Sequence, residues 1–188
     1  MLKNRELHEV PILFELSSHP EVYPYIRHKA QTSDEFYFLT KQIIAAERQG
    51  ELISRTIIDE YEQPIGTINL YDIQNNSGFL ATWIGQPYFG KGYNKLAKEA
   101  FLKELFFHLN IDTVFIKIRK TNARSLRANE KIPYTMRAND LYADIYSNIN
   151  EQENMFELFV ITKERFEMYL PFTTIEHDAT SLEADVVS

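Results

Sequence analysis

From Thr82 to Leu109 the chain runs through a short apolar segment (Thr82-Trp83-Ile84), a turn (Gly85-Gln86-Pro87-Tyr88), a glycine loop (Phe89-Gly90-Lys91-Gly92) and a long amphipathic pattern. Gly78, Gly85, Gly90 and Gly92, four of the six glycines, fall in it or just before it. A strand that passes through Gly-x-Gly into a helix leaves backbone N–H groups unpaired at the helix start, with the positive end of the macrodipole behind them. Such a start is a site for a phosphate, and glycine serves it because φ can turn positive and nothing shields the backbone. A plain strand-to-helix turn is the alternative reading of an isolated Gly-x-Gly. The common nucleotide patterns do not fit: Gly92 is followed by Tyr93 rather than Lys-Ser/Thr, and no third glycine stands at the dinucleotide spacing.

Charge adds a second constraint. The 188-residue chain carries net −7, yet Gly90 to Lys131 holds ten basic residues against four acidic ones, a local +6 that leaves −13 elsewhere. A basic block around a phosphate-type loop points to an anionic ligand there, and the acidic remainder would attract a cation. Lys98 and Lys103, beside Glu99 and Glu104, read as a solvated helix face. The length suits one domain over 1–172 that buries roughly 70% of its unfolded surface, followed by an acidic, mobile tail over 173–188. No apolar run approaches the ~20 residues of a bilayer span, and Met1 to Glu9 already carries Lys3, Arg5, Glu6 and Glu9, so no membrane association and a cytoplasmic location are expected. The absence of cysteine excludes disulfides, thiolate metal sites and a cysteine nucleophile.

In chain order, Glu6 to Ser17 has helix-like apolar spacing, with Pro11 in a first turn if the helix starts late. Thr32 and Glu35 form a capping box for a helix over Ser33 to Arg48, closed by Gly50. The period then changes to two, predicting an antiparallel meander: Leu52 to Ile58, Ile65 to Ile73 with a bulge near Gly66, and Phe79 to Ile84. The helix after the glycine loop presents Leu96, Ala97, Ala100, Phe101, Leu105 and Leu109 on one face, and Val114 to Arg119 follows as a strand parallel to Phe79 to Ile84. Asn122 caps a short helix ended by Pro133, and Leu141 to Ser147 with Met155 to Thr162 reads as a closing strand pair.

The order of elements and the residues Pro64-Ile65-Gly66-Thr67-Ile68-Asn69-Leu70, Trp83 to Tyr93, and Asn122-Ala123-Arg124-Ser125 followed by Asn129 to Tyr134 together resemble the GNAT superfamily of N-acetyltransferases. The segment Ser18-His19-Pro20-Glu21-Val22 is similar to an early turn of its RimJ/RimL-like branch. The likeness covers roughly residues 6 to 135. It implies an α/β (α+β) fold with a mixed central sheet of six to seven strands, about four helices, and a parallel pair splayed at a coenzyme A cleft. It also implies acetyl transfer from acetyl-CoA to a primary amine, on a protein N-terminus, a polyamine or a small amine, directly in a ternary complex.

On this resemblance, backbone N–H groups from Phe89, Gly90, Lys91, Gly92, Tyr93 and Asn94, at the start of the helix that holds Lys95, bind the CoA diphosphate, and pantetheine pairs with backbone at Trp83 and Ile84. A backbone N–H there can stabilise the oxyanion. Trp83 either lines the acetyl pocket or packs in the core. Ser125 is the implied proton donor to the CoA thiolate, and Asn122 orients substrate or pantetheine. The alternative for Ser125 is a helix-start hydroxyl that satisfies backbone. Attack needs a neutral amine, so a group of free pKa about 10 for lysine, or nearer 8 for an α-amine, must lose a proton.

Two positions depart from the family. Phe79 stands where the branch often has a glutamate, and Asn129 where many members have a tyrosine acid. The base therefore stays open between Glu157, Asp72 and a water chain, and a degenerate acyl-CoA-binding regulatory module is the alternative function. The five histidines show no metal-ligand spacing, no base-stacking pattern suggests nucleic acid, and the protein is expected as a monomer or homodimer.

Overall fold

The computed structural model describes residues 1–170, so the acidic tail expected over 173–188 lies outside the described residues. Two compact units are distinguished, Met1–Val114 and the chain from Phe115 onward.

In the first unit, β1 (Leu2–Asn4) is followed by a 3-10 turn at Leu7–Glu9 and helix α1 (Val10–Ser17), which starts late and holds Pro11 in its first turn. Helix α2 (Ser33–Arg48) has the predicted bounds: the Thr32 hydroxyl accepts from Glu35 N at 3.2 Å, and Gly50 beyond its end has φ +76°. The Glu35 carboxylate reaches Gln31 N at 2.6 Å rather than the cap residue itself.

The meander follows as β2 (Ile53–Ile58), β3 (Pro64–Gln74) and β4 (Ser77–Ile84), all antiparallel, with β1 on the outer edge of β2. The register shifts where Ile57 faces Gly66 and Ile58 faces Pro64, so the bulge expected at Gly66 falls on its neighbour Ile65. Gly66 is needed for closeness, since a Cβ there would meet Trp83 O at 2.2 Å. The turn from β3 to β4 uses Asn75 and Asn76 with φ +49° and +57°, the left-handed pair that matches strand twist.

Ile57, Ile65, Ile68 and Leu70 from the strands and Leu13 from α1 are fully buried, each contributing on the order of 1.5–3 kcal/mol of transfer free energy. The strand β1 was not predicted because three residues are too few to show a period. Helix α3 (Tyr93–His108) leaves the glycine loop and leads to β5 (Thr113–Arg119), which begins at the end of this unit.

The α3 face differs from expectation. Ala97, Phe101 and Leu105 are buried as predicted, but so are Lys98, Leu102 and Phe106, while Leu96 and Leu109 are exposed. The stripe is turned towards the 98, 102, 106 row, so Lys98 is a buried residue and not part of a solvated face.

In the second unit, Val114's neighbours Ile116 and Ile118 continue β5 with buried side chains, and α4 (Ala123–Glu130) starts at Asn122. The strand expected over Leu141 to Ser147 is instead helix α5 (Ala143–Ile149). Its turns are closed by Tyr146 N donating to Tyr142 O at 2.9 Å, and its end is held by Asn150, which donates to Tyr146 O and Phe156 O. Met136–Arg137 (β6) pairs antiparallel with β7 (Phe156–Thr162) in its place, and residues 163–170 are helical. Among the described residues the fold is thus the mixed α/β class expected, with seven strands and six helices.

Candidate active site

The glycine loop has the backbone its sequence requires. Gly90 and Gly92 take φ +74° and +85°, and Gly92 is the N-cap of α3 with no side-chain cap and no acid in the first turn. A Cβ at either glycine would meet nothing within 4 Å, so conformation rather than crowding demands glycine there, and the space over the loop is open. An anion is the partner such a start lacks. The flanks are anchored: Tyr93 donates its hydroxyl to Glu60, Tyr88 meets Tyr93 edge-on, and Lys91 Nζ lies 5.5 Å from the Tyr88 ring centre. Hydrogen bonding to Glu60 pushes the Tyr93 phenol up to about 12, so it stays protonated. Lys95 sits 4.0 Å from Glu99 and is exposed, as is Lys91, whereas Asn94 is half-buried.

Upstream of the loop, the last residues of β4 line a cavity. It is open to solvent and offers about 50 Å³ to water-sized molecules. Trp83 lines this cavity and also packs against the cluster of Val10, Leu13, Ala30 and Phe36, the core role that was the second of its two readings. The cavity also takes Arg5, His28, Thr67, Asn69 and Thr82. Asn69 and Thr67 satisfy one another at 3.3 Å, with the Ser54 hydroxyl donating to Asn69 Oδ1 at 2.5 Å.

His28 stands edge-on to Tyr71 at 5.4 Å, and burial, aided by the charge of Arg27, holds its imidazole below the ordinary 6.5. It is therefore neutral at pH 7 and can accept a proton. Tyr71 is pushed up by burial to about 12 and remains a donor.

Neither carboxylate weighed as a base is uncommitted. Asp72 holds Arg27 through both oxygens, at 3.0 and 3.1 Å, and Glu157 accepts from Asn139 at 2.7 Å with Arg137 at 3.7 Å. Sequence reasoning missed His28 and Arg5, which lie in short irregular segments without periodicity; the signal available was the adjacent Arg27 and His28, just before a capping box.

In the second unit the structure brings Asn122 and Ser125 together: Asn122 Oδ1 accepts from Ser125 N at 3.1 Å, which makes Asn122 the cap of α4. Asn129 is fully buried, and neither atom of its side-chain amide has a hydrogen-bond partner among the described residues. Glu6, His8 and Glu9 approach within 4.8 Å of one another, but Lys3 already neutralises both carboxylates, at 2.8 and 3.0 Å.

Comparison with known proteins follows this geometry. Curated protein sequences give no match. The fold is shared with a spermidine N-acetyltransferase from Vibrio cholerae in complex with CoA and spermine, at 15% identity, 88% of this chain, 96% of that one and TM-score 0.72. It is shared too with a GNAT-family acetyltransferase from Bacillus anthracis (18%; 87% and 94%; 0.70) and a putative ribosomal-protein-serine acetyltransferase from Vibrio cholerae (16%; 86% and 92%; 0.68). The model of the acetyltransferase (GNAT) domain matches residues 1–135, which is most of the chain, and the protein therefore belongs to the GNAT acetyltransferases and is an N-acetyltransferase.

Proposed function

We propose that this protein, within the RimJ/RimL-like branch and in the cytoplasm, moves the acetyl group of acetyl-CoA directly to a primary amine held beside Trp83. The observation that carries the reading is one continuous segment: β4 ends in the wall of a cavity holding a neutral histidine, and eleven residues beyond Thr82 the chain enters α3 with uncapped N–H groups. Phe89 to Lys95 would hold the diphosphate and Trp83 and Ile84 the pantetheine arm. The thioester supplies the activated acyl group.

His28 is the base this reading selects. A neutral imidazole accepts the ammonium proton without first losing one of its own, and the protonated Tyr71 beside it remains a hydrogen-bond donor. Ser125 would return a proton to the thiolate, with Asn122 fixing the start of its helix. The family match runs from the first unit into the second, which supports reading 1–172 as one domain.

A thiol-release assay across a panel of amines tests the proposal. Turnover with at least one acceptor is expected, falling ~10²-fold or more in His28→Gln; acetyl-CoA that binds but is never consumed with any amine would overturn it. The second reading, a degenerate acyl-CoA-binding regulator, is favoured by Asn129, whose buried amide stands where the family often has a tyrosine acid. It predicts tight CoA binding by calorimetry together with activities indifferent to Ser125→Ala.

A further inference from the structure

The cavity beside Trp83 contains a cation without a counter-ion. Arg5 is 7% exposed, and its one side-chain hydrogen bond among the described residues is a long one, Nη2 to the Thr40 hydroxyl at 3.3 Å. Its Nε is buried with no partner, and no carboxylate among the described residues lies within ion-pairing distance. The two acids near enough to act on it electrostatically are committed elsewhere. Glu9 serves Thr56 at 2.6 Å, Glu6 N at 3.1 Å and Lys3 at 3.0 Å, while Glu47 holds Arg55 at 2.5 Å.

A buried guanidinium left with open N–H groups is costly, because desolvation is not offset by any bond. The other arginine of the wall, Arg27, is already bound by Asp72 and stacked on Tyr71 at 4.4 Å. No Asp or Glu among the described residues lines the cavity.

A planar cation whose donors lack acceptors asks for a planar anion. We infer that the acceptor amine carries a carboxylate, received side-on by Arg5, so that the substrate class is an amino acid or a similar amino-carboxylate rather than a polyamine. A guanidinium binds a carboxylate through two parallel N–H groups, which a point charge does not match. A polyamine would bring further positive charge towards Arg5 and Arg27. The inference rests on the acetyl-transfer reading for the amine, though not for the carboxylate.

The experiment screens the twenty common α-amino acids, their decarboxylated amines and spermidine, by thiol release and by calorimetry in the presence of CoA. At least one acid is expected to exceed its own amine by tenfold or more in kcat/KM. Arg5→Met should raise KM for that acid at least tenfold while leaving kcat/KM for the matched amine within twofold, and Arg5→Lys, which keeps the charge but not the two parallel N–H groups, should weaken the acid about threefold to tenfold. Arg5→Lys carries the test if Arg5→Met does not fold. Spermidine or the amines used as well as every acid, or no acid bound in calorimetry, would overturn the inference and leave acetyl transfer standing. Acids that bind in an Arg5-dependent way without any thiol release would support the carboxylate site and overturn the acetyl-transfer reading instead.

Discussion

Lys98 sits in the middle of α3, 7% exposed, and burial brings its ammonium down to about 8 from 10.5. The native state therefore binds fewer protons than the unfolded chain between those two values, and stability rises with pH across that window. Below pH 8 the full cost of charging a buried amine is present. Lys98→Met keeps the volume and removes the charge, so it should stabilise the protein by roughly 1–3 kcal/mol at pH 7. The gain should shrink towards zero by pH 10.5, which thermal melts of both proteins at pH 7, 8.5 and 10 would measure; a gain independent of pH would mean the lysine is not charged-buried at all. The same logic with a functional readout applies to His28, whose imidazole is held below 6.5. The base form is present at pH 7 and is lost as pH falls through that lowered value, so kcat/KM should carry an acid limb below pH 6.5 that disappears in His28→Gln. Neither residue was legible in the sequence. Lys98 stands at i, i+3 from Lys95 beside Glu99, the composition of a wet helix face, and only the packing of α3 through Leu102 and Phe106 rather than Leu96 puts it inside.

Elements were more legible where the local rule and the packing agreed. Thr32, the apolar stripe and Gly50 all specify α2, and its bounds came out as read. Leu141 to Ser147 failed because alternating Leu, Ala, Ile with Tyr suits a strand by pattern, while Asn150 bonds backbone at both its flanks and so closes a helix instead. The glycine loop is the case where sequence gave the element and the backbone gave the reason. Gly50 and Gly92 have nearly the same φ, +76° and +85°, and neither has an atom within 4 Å of a Cβ. Replacing either by alanine should cost about 1 kcal/mol from left-handed strain. Only Gly92→Ala alters the start of α3, so it alone should weaken CoA, and Gly92→Asp, which brings a negative charge to that start, should weaken it further, by at least thirtyfold in calorimetry. Equal CoA affinity in Gly50→Ala and Gly92→Asp would remove the loop from the binding site.

For the whole molecule, charge was the most legible property and the most misleading about the acceptor. The acidic remainder of −13 suggests attraction for a cation, yet the cavity wall carries Arg5 and Arg27 and, among the described residues, no acid. The reason is that net charge counts every side chain, whereas recognition depends on those that lose water, and the acids nearest Arg5 are spent on Lys3, Thr56 and Arg55. The basic block from Gly90 to Lys131 is different, because Lys91 and Lys95 are exposed and act at a distance. Their attraction for a phosphorylated coenzyme is screened over a Debye length of about 10 Å at 0.1 M salt. Raising sodium chloride from 0.05 to 0.5 M should therefore raise the Kd of CoA by roughly threefold to tenfold, mostly by slowing association. An uncharged acetyl-pantetheine thioester, which lacks the phosphates, should show a KM that salt leaves unchanged. If both donors weaken alike, salt is acting on the fold or on the buried Arg5, and the basic block has no part in bringing the coenzyme in.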